Sequence, residues 1–167
     1  LIHPRERDLV IATHGRSIYI LDDITALEEF TPEIAAKEAH LFSIHPTLGS
    51  IPLPGWAEWG GVAEYRGANP PTGAAITFYV REYTGDPVSI SISNAAGQTV
   101  ANLSAPSLSG FGRVYWDLRP SRDLLTGYGS EGSKPVKPGE YTVTLSSGKQ
   151  KATTRLQIDI ATGIETR

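Results

Sequence analysis

From Ala74 onward one pattern recurs that leaves few folds open: short runs in which apolar and polar residues alternate, returning at intervals of about ten residues. In the clearest run, Val88, Ile90 and Ile92 alternate with Ser89, Ser91 and Ser93; Val114, Trp116 and Leu118, and then Tyr141, Val143 and Leu145, repeat the spacing. Successive side chains of a strand point to opposite faces, so each run predicts one buried face and one wet face. The strands are expected at 75–82, 88–94, 99–104, 112–118, 139–146 and 151–160. Turn chemistry separates them at Asn94-Ala95-Ala96-Gly97, Lys137-Pro138-Gly139 and Ser146-Ser147-Gly148-Lys149. Six half-buried strands need a second layer to cover them. The expectation is therefore an all-β, immunoglobulin-like antiparallel β-sandwich with Trp116 in its core, interrupted by a Gly-, Ser- and Pro-containing excursion over 119–135.

The first third reads differently. Leu9-Val10-Ile11-Ala12-Thr13 and Ser17-Ile18-Tyr19-Ile20-Leu21, joined by His14-Gly15-Arg16, predict a β-hairpin. Two strands alone are marginal in water. The hairpin, with its unpaired edges, is thus expected either to dock on the sandwich or to pair with another copy of the chain. Thr31, Pro32 and Glu33 carry the signature of a helix start, and Asp22 or Asp23 is placed to cap an earlier helical turn. The organisation expected is a hairpin over 1–23, a helical connector over 24–40, a sandwich over 41–160 with a long Gly/Pro/Trp loop at 49–73, and a tail over 161–167. Asn69-Pro70-Pro71-Thr72-Gly73 should stiffen the entry into the first long strand and release it at Gly73. Leu1 stands where an initiator Met would, and the start is read as a cut inside a longer chain.

Composition narrows the function. The net charge is −3, and no run of Lys or Arg offers a footprint for a phosphate backbone, so nucleic acid is not an expected partner. No apolar run is long enough for a membrane-spanning helix, and membrane insertion is not expected. Without cysteine there is no disulfide, thiolate nucleophile or Cys-based zinc site. Searches for a nucleophile elbow, a His-Glu-x-x-His helix, a phosphate-binding Gly-rich loop and an EF-hand loop find none. His3, His14, His40 and His45 lack the spacing of metal ligands on one element, and no cofactor or metal is expected. Asp117 is expected to bond nearby backbone.

The candidate ligand contacts are Trp56, Trp59 and Tyr65, set among Gly and Pro in the long loop. Such rings could form a stacking platform for sugars, or could anchor the loop by packing against the sandwich or the connector. No accompanying set of Asn, Gln, Asp or Arg stands at an obvious spacing, which favours packing.

The segment Asp8-Leu9-Val10-Ile11-Ala12-Thr13-His14-Gly15-Arg16-Ser17-Ile18-Tyr19-Ile20-Leu21-Asp22-Asp23 resembles the last blade of bacterial sortilin-like, Asp-box (BNR) β-propeller proteins, many of them labelled glycosyl hydrolase-like. Tyr65-Arg66-Gly67-Ala68-Asn69-Pro70-Pro71-Thr72-Gly73-Ala74 resembles the segment after that propeller. Gly112-Arg113-Val114-Tyr115-Trp116-Asp117-Leu118-Arg119 and Lys137-Pro138-Gly139-Glu140-Tyr141-Thr142-Val143 resemble the Ig-like module of flagellar hook-capping proteins and of secreted bacterial enzymes. The resemblance implies that 1–23 is the remnant of a propeller blade and that the sandwich is a non-catalytic accessory domain which caps, spaces or assembles a propeller. It also implies an extracellular or periplasmic location, and catalysis, if any, in the parent's propeller. The alternative is a carbohydrate-binding module, with Trp56, Trp59 and Tyr65 as contacts.

Overall fold

The computed structural model describes residues 1–49, 71–82, 85–105, 109–121, 124 and 134–159. The elements are β1 (Leu9–Ala12), β2 (Ile18–Leu21), α1 (Thr25–Glu29), α2 (Pro32–Ala35), β3 (Ala39–Leu41), β4 (Thr47–Leu48), β5 (Ala74–Val80), β6 (Val88–Asn94), β7 (Thr99–Ala105), β8 (Gly110–Trp116), β9 (Gly139–Ser147) and β10 (Gln150–Asp159). The fold is an all-β sandwich: a five-stranded sheet, β4-β10-β9-β6-β7, packs on a three-stranded sheet, β3-β5-β8, and the hairpin β1-β2 forms a separate third sheet. The six predicted strands all form. Two short strands from the 39–48 segment join them, and β4 runs parallel to β10, the one parallel pair among the described strands.

The core follows the alternation. Val88, Ile90 and Ile92 of β6, Tyr141, Val143 and Leu145 of β9, and Leu156 and Ile158 of β10 face Ala74, Ile76, Phe78 and Val80 of β5 and Trp116 of β8. Trp116 and Tyr141 meet across the sheets edge to face, with ring centroids 5.8 Å apart. Each polar tip finds a main-chain partner: Trp116 Nε1 donates to the Arg119 carbonyl at 2.8 Å and Tyr141 Oη to the Lys137 carbonyl at 2.7 Å. A tyrosine near the start of a strand bonding backbone a few residues upstream is a hallmark of immunoglobulin-like sandwiches, because it pins the preceding turn to the core.

Two glycines are required by close approach. In the β5-β8 register Gly112 lies opposite Phe78, and a Cβ there would sit 2.3 Å from the Phe78 ring. At Gly73, φ is +120° and a Cβ would sit 2.0 Å from the Trp116 carbonyl oxygen. The release expected at Gly73 is thus real, and it lets the entry to β5 touch the end of β8.

The outer face of the three-stranded sheet departs from the wet face that alternation predicts. Thr77 points outward from β5 yet is only 8% exposed. The connector lies over it: Phe30 packs on Tyr79 and Phe111, with centroids 5.1 and 4.9 Å away, and Phe42 stacks on Phe111. Thr31 caps α2 by accepting from Ile34 N, with Pro32 at the first helical position, as its sequence predicts. Ahead of α1 no side chain caps the helix from the N-cap position, Ile24. Asp23, one residue earlier, instead accepts from Thr25 N at 3.1 Å.

The connector covers this face, and the hairpin reaches the sandwich at its base through Asp22 and Asp23. The hairpin projects with every β2 residue exposed: Ile18 63%, Tyr19 58%, Ile20 61% and Leu21 49%.

Candidate functional site

A cleft of about 530 Å³ opens where the hairpin base meets the sandwich. Asp8, Asp22 and Asp23 reach it from the hairpin base, His45 from the β3–β4 link, Arg113 and Tyr115 from β8, and Asp159 from the end of β10. Alternation explains the contribution of β8: with Trp116 turned into the core, Arg113 and Tyr115 must point outward.

Arg113 is the centre of the cleft. Its Nε donates to Thr77 Oγ1 at 2.8 Å, Nη1 to the Asp22 carbonyl at 2.9 Å and Nη2 to the Asp23 carbonyl at 2.6 Å. One planar guanidinium thereby ties the end of the hairpin to the sheet, a fork that lysine's single point charge does not reproduce. Asp23 adopts a left-handed φ of 47°, a conformation Asp tolerates better than most residues. That turn is held from both sides: Asp23 N donates to Asp8 Oδ1 at 3.0 Å, and Ile24 N donates to the Arg7 carbonyl at 3.0 Å. Arg7 in turn forms a forked ion pair with Glu28 of α1.

Asp23, His45 and Thr25 are three residue types that elsewhere form proton relays, and here they converge. Thr25 Oγ1 lies 2.6 Å from His45 Nε2, and Asp23 Oδ1 lies 3.5 Å from the same nitrogen. A relay needs the carboxylate on one ring nitrogen and the nucleophile on the other, so that the acid orients the base. Here both compete for Nε2, and Thr25 is itself buried at 9% exposure. The arrangement fixes the connector; it does not activate the hydroxyl. Among the described residues no group of three or more His, Asp or Glu is placed to hold a metal.

The remaining sites of interest from the sequence are dispersed. Asp117 accepts from Arg119 N at 3.0 Å, the backbone role expected of it. His3 Nδ1 accepts from Glu6 N, and His40 packs edge-on against Phe42, where burial and the nearby Lys37 charge lower its pKa. Trp56, Trp59 and Tyr65 lie outside the described residues. Sequence reasoning missed Arg113 as a clamp. Its signal was present: a cation between Phe111 and Tyr115 at outward positions marks a sheet face that something covers.

No family model matches the chain, and no curated protein matches it. A solved structure described as "Biofilm associated protein - BSP domain" is similar, with a TM-score of 0.37 and 8% identity, over 88% of this chain and 17% of that one. This chain therefore spans about a sixth of that structure's length, and a likeness at this level bears on neither activity nor partner.

Proposed function

We propose that this chain is a non-catalytic accessory module of a larger extracellular or periplasmic β-propeller protein, with the sandwich as a brace or spacer and the hairpin as its junction with the parent's sheet. The observation that carries the reading is the hairpin itself. In register, Leu9, Ile11, Tyr19 and Leu21 form one face and Val10, Ala12, Ile18 and Ile20 the other. Strands apolar on both faces belong to sheets covered on both sides, and packed propeller blades are such sheets. Leu1 and Ile2 lie along the other edge of β1: Leu1 exchanges hydrogen bonds with Val10, and Ile2 forms an isolated bridge to Leu9. The cleft's polar groups serve the same end, since Arg113 and Asp23 set the angle at which the hairpin leaves the sandwich.

The test uses the longer polypeptide that the resemblance implies, with and without residues 24–167. Loss of the module should lower the propeller's melting temperature or release it from its assembly; an unchanged propeller would count against a brace. The carbohydrate alternative is tested on the chain itself by tryptophan emission against a panel of oligosaccharides. No shift is expected, and a sugar-dependent shift abolished in Trp56→Phe/Trp59→Phe would replace this reading with a binding module.

A further inference from the structure

The edge of β2 carries information beyond that junction. Thr13 N donates to the Ser17 carbonyl at 3.2 Å, so in the alternating antiparallel pattern Ile11 with Tyr19 and Leu9 with Leu21 are the hydrogen-bonded pairs. Val10, opposite Ile20, confirms the phase by directing its N–H and C=O away from β2 to Leu1. The N–H and C=O groups of Ile18 and Ile20 therefore face outward along an edge unpaired among the described residues.

Among the described residues this edge has none of the usual protections. Natural edges are blunted by Lys, Pro, bulges or cover. In the five-stranded sheet, edge strand β4 is two residues long and β7 is closed at its middle by Ser121, whose Oγ accepts from Asn102 N at 2.7 Å and whose N donates to the Val100 carbonyl. Along β2, Ile-Tyr-Ile-Leu carries no charge and no proline, and all four side chains are about half exposed or more.

We infer that β2 pairs with β2 of a second copy of this chain, antiparallel about a two-fold axis through Tyr19. That register matches each Ile18 with Ile20 of the second copy and satisfies all the outward groups of the two residues with four main-chain hydrogen bonds. It sets Tyr19 against its own symmetry mate in a non-hydrogen-bonded pair, with Cα atoms about 4.5 Å apart. It also brings Arg16 of each copy to the end of the strand where Asp22 of the other stands, whereas parallel pairing would set Arg16 beside Arg16 and Asp22 beside Asp22. Charge complementarity and the self-matching edge single out a second copy as the occupant. Two copies present on the order of 800 Å² of half-exposed β2 side chains, below the size of stable interfaces, so the main-chain pairing gives a weak, reversible dimer. The pairing does not rest on the propeller reading, because it engages the edge of β2 and leaves the edge of β1 to Leu1 and Ile2.

The experiment is sedimentation equilibrium of the chain, with Ile20→Pro and Ile20→Lys variants, together with oxidative crosslinking of Tyr19→Cys. The protein has no cysteine of its own, and the expected Cα separation suits a disulfide. A monomer–dimer equilibrium is expected, lost in both Ile20 variants with the unfolding temperature of the sandwich retained. Tyr19→Cys should crosslink at least tenfold faster than a control cysteine at Thr153, on the exposed side of β10. A chain that stays monomeric at about 100 µM, a dimer that survives Ile20→Pro, open-ended oligomers, or equal crosslinking at the two positions would each overturn the inference.

Discussion

Replacing Arg113 with methionine should release the connector without unfolding the sandwich. Methionine keeps the apolar stem but removes the donors that reach Thr77, Asp22 and Asp23. A hydrogen bond from a charged donor contributes about 1.5–3 kcal/mol where it is fully buried. The Arg113 side chain is 25% exposed and the Asp22 and Asp23 carbonyls border an open cleft where water can replace it, so the three bonds together are discounted to about 2 kcal/mol. The loss falls on local opening of the connector, because Arg113 stands outside the core cluster. Hydrogen exchange at the Ile24, Leu27 and Glu28 amides, which bond Arg7 and Ile24 carbonyls, should quicken about 30-fold. Core amides of Ile90 and Val143 should exchange as before. Arg113→Lys should fall much nearer to methionine than to wild type, since the fork and not the charge makes the clamp. Connector protection that stays within about threefold of wild type, or a loss spread equally over the core, would refute the reasoning.

Gly73→Ala combines a left-handed φ with a Cβ driven into the Trp116 carbonyl, and urea unfolding should show a loss of about 2–4 kcal/mol. Tyr141→Phe removes one hydroxyl bond to Lys137 while keeping the ring packed on Trp116; a loss of about 1 kcal/mol, seen as a fall of about 2–4 °C in melting temperature, is expected. His40 has its pKa lowered by burial and then by Lys37, so the unfolded chain binds the proton more tightly than the folded one. Stability should be full above about pH 6.5 and decline as pH falls below it, and melting scans of His40→Gln should show a shallower decline across that window.

Strand number, spacing and inward faces could be read from the chain because they are local: a period of two, broken by Asn-, Gly- and Pro-bearing turns, dictates which side chains of β6, β8 and β9 share a face. The hairpin, the Thr31 cap and the need for Gly73 at the entry to β5 were legible for the same reason, as each depends on neighbours in sequence. What the tertiary structure alone decided lies between segments far apart in the chain. Alternation says that Thr77 and Arg113 point outward, yet it cannot say that Phe30 and the Asp22–Asp23 turn, which arrive from another part of the chain, cover them. Nor can it show that the Thr25 hydroxyl and the Asp23 carboxylate meet His45 at one nitrogen, the detail that separates a tether from a relay. Periodicity fixes the direction of a side chain, whereas its partners depend on how remote segments stack, and at the base of this hairpin that stacking converts three acidic residues, a histidine and an arginine into a joint.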